Sequence, residues 1–315
     1  MHEATGVTPA GVLMGALGWV GRRSAYVLFI GCGVALMFPA LASFLRPALP
    51  GLVALVLGAA AARIDLIGAA RDIARPRVAL TLVATLVLLT PVAAILLIEA
   101  ARPFGTDVML MVAAFAAAPP IASAASLCFL LGFDAKRALQ LTLLATMATP
   151  LIGPPLIAYA GVAGLETGAV AVKLFAIIAA GLAIGAAARA MLGARRMAAL
   201  GPELDGASAL IMVLFVIPLF DGAGAAIMAT PWLAAGLFGF AVLLNFGANA
   251  AANLATRRVA GRAGAGALGV VAGNRNVSLY LATLPPDPVF GLFVALYQFP
   301  MYATPLVGRW LGGPR

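Results

Sequence analysis

The sequence is poor in the side chains from which most catalytic and metal sites are built. It contains one histidine, His2, near its start, and two cysteines, Cys32 and Cys128, both within apolar runs. A histidine metal site or a Ser-His-Asp triad is therefore excluded from the body of the chain. Cysteines in such runs usually act as small packing residues. We accordingly expect no enzyme, no resident metal and no organic cofactor.

Charged residues are also scarce, and this excludes a soluble globular protein. Only 10% of the 315 residues are charged, 63% are hydrophobic, and the mean hydropathy is +1.08. Most positions of such a chain cannot face water, so the composition predicts a polytopic protein embedded in a lipid bilayer. The net charge of +9 does not indicate nucleic acid binding, because the basic residues are scattered and not interleaved with aromatics.

Apolar runs and their breakers predict an all-α protein with ten transmembrane helices. A span needs about 20 apolar residues, so the shorter stretch 14–23 is predicted to be an interfacial helix. We assign residues 1–24 to an N-terminal cytoplasmic or interfacial segment, 25–160 to a first group of five helices and 161–315 to a second. The predicted spans are approximately 25–45, 50–68, 77–99, 107–132, 135–160, 167–190, 207–227, 231–256, 265–284 and 287–311.

The basic residues predict the orientation of these spans. With this division, 16 of the 20 Lys and Arg residues fall on one set of alternate loops, and three (Arg46, Arg102 and Lys173) fall on the other. Short loops rich in Lys and Arg stay cytoplasmic, so both termini are predicted to be inside the cell. The expected location is a bacterial inner membrane.

An internal repeat relates the two halves. Met147–Gly153 matches Tyr302–Gly308 without a gap at an offset of 155 residues, which pairs span 4 with span 9 and span 5 with span 10. The same offset aligns Pro119-Pro120 in span 4 with Asn274-Arg275 in span 9. Five spans per copy is an odd number, so the second copy is predicted to be inverted. Inverted repeats with interrupted helices are typical of secondary transporters.

Arg275 is the most informative residue, because it lies inside an apolar span, where an unpaired charge costs about 2.5 to 3.5 kcal/mol. In one interpretation it faces an aqueous cavity and binds an anionic substrate, with Asn274 and Asn276 beside a helix break after Gly273. In the other it binds freed backbone carbonyls and holds the broken helices together. The prolines of span 4 mark the corresponding break or a simple kink stabilised by packing.

Other polar residues within the spans are weaker candidates for the substrate site. Asn245, Asn249 and Asn253 recur every four residues and form one polar stripe, which either lines the pathway or bonds neighbouring helices. Hydroxyl side chains in spans 4 and 5 either contact substrate or bond their own helix. These are Ser123, Ser126, Thr142, Thr146 and Thr149.

This order of features resembles the bile acid:sodium symporter family over roughly residues 14–311. The resemblance rests on the run Ala118–Ser123, on Asn245 and on Gly273–Asn276. It implies a panel domain and a core domain, with broken helices 4 and 9 crossing in the core and a substrate cavity between the domains.

The resemblance does not extend to the side chains that bind sodium in that family. The aligned positions hold Leu86, Ala124, Ala125, Val271 and Arg275, and Thr142 alone survives. Sodium needs several oxygen ligands, which aliphatic side chains do not provide. We therefore expect a secondary transporter of a small organic anion in which Arg275 replaces a bound cation. Transport would then be independent of sodium, and either coupled to protons or a uniport. The alternatives are a receptor or scaffold that does not transport, and an arsenite-type efflux carrier that uses a cysteine of span 4.

Overall fold

The computed structural model describes residues 9–161 and 165–310, and within these ranges the chain is helical and contains no β-strand. The α-helices are Pro9–Arg22, Ser24–Met37, Pro39–Leu45, Leu49–Ala62, Leu66–Ile73, Pro76–Val83, Thr90–Ala101, Thr106–Ala117, Ala124–Leu130, Ala135–Tyr159, Thr167–Ala199, Gly201–Val216, Ala223–Ala229, Pro231–Val242, Ala248–Gly273, Ser278–Leu281 and Pro288–Trp310. Short 3-10 turns occur at Arg46–Ala48, Arg102–Phe104 and Ile217–Phe220, and π-helical turns at Ala84–Leu89 and Leu243–Gly247. The all-α class is confirmed.

The apolar helices confirm a polytopic membrane protein. Six segments are long and apolar enough to span a bilayer, and a seventh is counted if Gly11–Arg22 and Tyr26–Met37, which meet at 91°, form one bent span. Thr106–Ala117 is apolar but only 12 residues long, because the chain is interrupted after it. The six are Pro39–Ala62, Ala135–Tyr159, Thr167–Gly193, Gly201–Phe220, Pro231–Gly273 and Pro288–Gly308. The number of ten spans stays a prediction.

The structure corrects the boundary between the first two predicted spans. The loop expected at 46–49 is a 3-10 turn inside the continuous segment Pro39–Ala62, so Arg46 is not on a loop. Pro47 lies in the first turn of its helical element, where no backbone donor is needed. The chain breaks at Phe38 instead, with φ −121° and ψ 67°, because a residue before proline disfavours the helical conformation.

The first helix, Pro9–Arg22, packs along Gly201–Val216. A Cβ atom on Gly206 would overlap the carbonyl of Leu17, so the two backbones are in direct contact. Small residues permit such close approach between membrane helices. The segment predicted to be interfacial is therefore attached to the body of the protein through this contact.

A similar order of elements occurs in both halves of the chain. Gly105, with φ 97°, precedes helix 106–117, and Gly261, with φ 67°, interrupts Ala248–Gly273 so that residues 262–273 form a separate helix. The two glycines are 156 residues apart. Each of these helices is followed by a non-helical segment, 118–123 or 274–277, then a short helix and finally a long one, Ala135–Tyr159 or Pro288–Trp310. The orientation of each half in the membrane stays a prediction.

Candidate functional site

The two non-helical segments cross and bond to each other through their backbones. Pro120 and Arg275 form an isolated antiparallel bridge. The amide of Ile121 donates to the carbonyl of Asn274 at 2.9 Å, and the amide of Asn276 donates to the carbonyl of Pro119 at 2.8 Å. An interruption frees polar backbone groups, which must find partners inside a membrane protein. Here each interruption supplies the partners that the other needs.

The side chain of Arg275 binds the carbonyl end of helix 106–117. Its Nε donates to the carbonyl of Phe115 at 3.2 Å and its Nη2 to that of Ala116 at 2.6 Å. Its Nη1 donates to the carbonyl of Val271, in helix 262–273, at 3.5 Å. The last four carbonyls of a helix lack partners within the helix and carry partial negative charge, so a cation is stabilised there. In the described parts of the chain no Asp or Glu forms an ion pair with Arg275. Its charge is therefore balanced by backbone dipoles.

Two buried tyrosines complete this arrangement. The hydroxyl of Tyr297 donates to the carbonyl of Gly273 at 2.6 Å and accepts the amide of Arg275 at 2.9 Å. The hydroxyl of Tyr280 donates to the carbonyl of Ala117 at 3.2 Å. Sequence reasoning missed both residues. The available signal was that a tyrosine within an apolar span needs a partner for its hydroxyl.

Asn245 and Asn274 form a buried amide network at the second interruption. Asn245, in the π-helical turn Leu243–Gly247, donates to the carbonyl of Gly273 at 2.8 Å. The hydroxyl of Thr304 lies 2.8 Å from Oδ1 of Asn274 and 3.2 Å from Oδ1 of Asn245. Sequence reasoning missed Thr304, although it is the counterpart of Thr149 in the internal repeat. Both asparagines are fully buried, so the network holds helix ends together in this conformation.

The remaining candidates are more dispersed. Asn249 and Asn253 are partly buried and pack on helix 262–273 at Gly269, where a Cβ atom would come within 2.7 Å of Oδ1 of Asn249. Asn276 accepts the hydroxyl of Ser278 at 2.6 Å. Ser123 is partly buried and Ser126 is exposed. The hydroxyls of Thr142, Thr146 and Thr149 each donate to a carbonyl four residues earlier in their own helix.

A narrow crevice reaches Arg275 from the side of Ala135–Tyr159. Its volume is about 20 Å³, which is enough for about one water molecule. Besides Arg275 and three consecutive alanines at the end of helix 106–117, its walls include Thr90 and Thr149. Of the matched threonines of the repeat, Thr149 thus lines the crevice at Arg275 and Thr304 bonds to Asn274. In this conformation the crevice is too small for an organic anion.

The two cysteines are both free and fully buried. Cys128 lies on Ala124–Leu130, beyond the first interruption, and is not among the residues that surround Arg275. Across residues 9–161 and 165–310, no group of three or more His, Cys, Asp or Glu side chains is placed to hold a metal ion.

The chain matches no protein-family model, and no curated protein matches it at a significant level. The resemblance to the bile acid:sodium symporter family therefore stays a prediction from the sequence.

Proposed function

We propose that the protein is a secondary transporter that moves a small organic anion across a bacterial inner membrane by alternating access. The observation that supports this best is the crossing of two interrupted helices with a cationic side chain at the centre. Continuous helices satisfy their own backbone groups, so interruptions at membrane depth are tolerated only where protein or a water-filled cavity provides partners. Midplane sites built from interrupted helices are typical of secondary transporters.

The proposal includes two inverted five-helix repeats and ten spans. It is supported by the similar order of elements around Gly105 and Gly261 and by the repeated threonines at the crossing. The crevice beside Arg275 is too small for an organic anion, so alternating access requires a second state in which the helices around it separate. Of the predicted substrate residues, Asn276 and Ser123 lie at the interruptions, and Ser126 is accessible without such a change.

The proposed transporter does not use sodium in the manner of the family it resembles. Arg275 places a fixed positive charge against the carbonyl ends of helix 106–117 and of helix 262–273. A cation stabilised by these dipoles would compete with the guanidinium for the same oxygen atoms. The corresponding experiment compares the thermal unfolding midpoint of the purified protein in sodium and in choline. No sodium-specific change is expected, and a saturable increase would contradict the proposal.

The function itself is tested in proteoliposomes with labelled carboxylates and sulfonates. We expect saturable counterflow of at least one of these anions, with the same rate after sodium is replaced by choline. The Arg275→Gln variant should lose this counterflow while Arg258→Gln, a matched change at an exposed position, retains it. Arg275→Lys keeps the charge and provides a variant with a smaller structural change.

A receptor or scaffold without transport is the second candidate, and the small volume of the crevice favours it. Anion-dependent thermal stabilisation without any counterflow would support this candidate and reject the transporter. The arsenite-type alternative requires an accessible thiol in the first interruption, whereas Cys128 is fully buried and outside it.

A further inference from the structure

A second cavity lies where the segment 66–78 meets the start of Ala135–Tyr159, and its walls are polar. Its volume is about 150 Å³, which is room for a group of several heavy atoms. Three basic residues, two carboxylates and one amide surround it: Arg75, Lys136, Arg137, Asp72, Asp134 and Gln140. The walls therefore carry one positive charge in excess.

The carboxylates leave part of the basic surface unused. Asp72 binds Nζ of Lys136 at 2.5 Å and Nη2 of Arg75 at 3.1 Å. Asp134 accepts the backbone amide of Arg137 at 2.9 Å and lies 3.6 Å from its Nε atom. Within the ranges that the structure covers, the two Nη atoms of Arg137 have no hydrogen-bond acceptor. These donors are available to a ligand in the cavity.

Gln140 provides an independent indication of a ligand. Its residue surface is only 8% exposed, it lines the cavity, and no residue in the described part of the chain hydrogen-bonds to its side chain. The small exposed part of Gln140 includes its amide, because the amide atoms are not among the fully buried polar atoms that lack a partner. Such a group in a native protein usually binds a water molecule or a ligand. The amide of Gln140 is therefore placed to donate to a group inside the cavity.

The start of Ala135–Tyr159 gathers these donors on one face. Lys136 and Gln140 are four residues apart and Arg137 and Gln140 three, so their side chains are neighbours in the first turns of a 25-residue helix. The positive end of the helix dipole adds to their charge. On the facing side, a Cβ atom on Gly264 would come within 2.5 Å of Nη1 of Arg137, so glycine leaves space for the guanidinium.

We propose that this cavity binds a phosphate group, carried either by an anionic phospholipid or by a soluble phosphate. A guanidinium, an ammonium, an amide donor and a helix N-terminus are the groups that bind phosphate oxygens. The loops that form the cavity are among those that the sequence predicts to be cytoplasmic, where basic pockets attract anionic headgroups. This site is separate from the crossing at Arg275.

The test is a pair of titrations of the full-length protein in detergent, each followed by the thermal unfolding midpoint. One titrant is inorganic phosphate against chloride at equal ionic strength, and the other is short-chain phosphatidylglycerol against phosphatidylcholine. We expect a saturable rise in the midpoint with at least one phosphate titrant. The concentration for half the effect should rise about tenfold in Arg137→Gln, which removes a charge-assisted bond.

Two further variants separate binding from folding. Gln140→Leu removes an amide that faces the cavity and has no hydrogen bond to the described protein, so the unliganded protein should unfold at an unchanged temperature while phosphate affinity falls. Arg71→Gln is the control, because Arg71 is exposed on the same segment as Asp72 and does not line the cavity. A response to phosphatidylglycerol alone identifies a lipid site, and a response to inorganic phosphate identifies a site for soluble phosphates. No response to either titrant, or equal responses in all variants, would overturn the proposal.

Discussion

Replacing Tyr297 with phenylalanine tests whether the crossing depends on a single hydroxyl. This hydroxyl donates to the carbonyl of Gly273 and accepts the amide of Arg275, both within the second interruption. In Tyr297→Phe the carbonyl keeps its bond from Asn245 at 2.8 Å, whereas the Arg275 amide loses its partner beside the fully buried ring of residue 297. The predicted effect is therefore the cost of one orphaned backbone donor.

We expect Tyr297→Phe to lower the free energy of unfolding by about 1 to 3 kcal/mol, the usual cost of a buried polar group left unpaired. Side-chain hydrogen bonds in membrane proteins are often weaker, near about 0.6 kcal/mol, because the unfolded chain in the membrane also finds partners. A value above that average would indicate that the amide has no alternative partner.

Tyr302→Phe is the matched control on the same helix. The hydroxyl of Tyr302 is buried and has no hydrogen-bond partner in the part of the chain that the structure describes. Removing this hydroxyl leaves no other donor or acceptor unpaired, so the free energy of unfolding should stay the same or increase. Equilibrium unfolding in mixed micelles of mild and denaturing detergent measures both variants. The reasoning is refuted if Tyr302→Phe costs as much as Tyr297→Phe, or if Tyr297→Phe costs less than about 0.5 kcal/mol.

Two further predictions concern a close contact between helices and an ion pair. Gly206→Leu should lower the free energy of unfolding by about 1 to 3 kcal/mol or displace the first helix, because a Cβ atom there overlaps the Leu17 carbonyl. The control Gly236→Leu should do neither, because the space around Gly236 is open. The hydrogen bond from Lys136 lowers the pKa of Asp72 in the folded protein. The stability that this pair contributes is therefore fully present above the ordinary Asp pKa of about 3.9. It is lost as the pH falls through the lower pKa of the folded state. Thermal midpoints of the native protein and Asp72→Asn should therefore converge on acidification, and a constant difference would contradict this.

The sequence predicts the local elements of this fold better than their contacts. Ala135–Tyr159 begins at the residue expected because Asp134 caps it, accepting the amide of Arg137, and Pro288–Trp310 begins one residue later than expected. Local signals also located the two interruptions. The boundary at Phe38 was misplaced because three nearby prolines compete as breakers, and only the packing of the whole segment shows which of them ends a helix.

The hydrogen-bond network at the crossing could not be predicted from local patterns. Tyr297 and Thr304 bond to residues that are 24 and 30 positions earlier in the chain, and Arg275 bonds to carbonyls 159 and 160 positions earlier. Such contacts depend on how helices are arranged in space. The sequence indicated that Arg275 needs compensation, and it left open whether backbone carbonyls or an anion would provide it. In this conformation carbonyls bind the guanidinium.

The backbone bonds between the two interruptions have a consequence for how this scaffold can change over evolution or in the laboratory. This backbone joint consists of two hydrogen bonds, from the amides of Ile121 and Asn276 to the carbonyls of Asn274 and Pro119, and all four groups belong to the main chain. Side chains at the two donor positions can therefore be exchanged without removing the joint, except for proline, which has no amide hydrogen. A library at these two positions would vary the chemistry beside Arg275 on a constant framework. The backbone bonds of the crossing and the side chains at these two positions can in this way change independently.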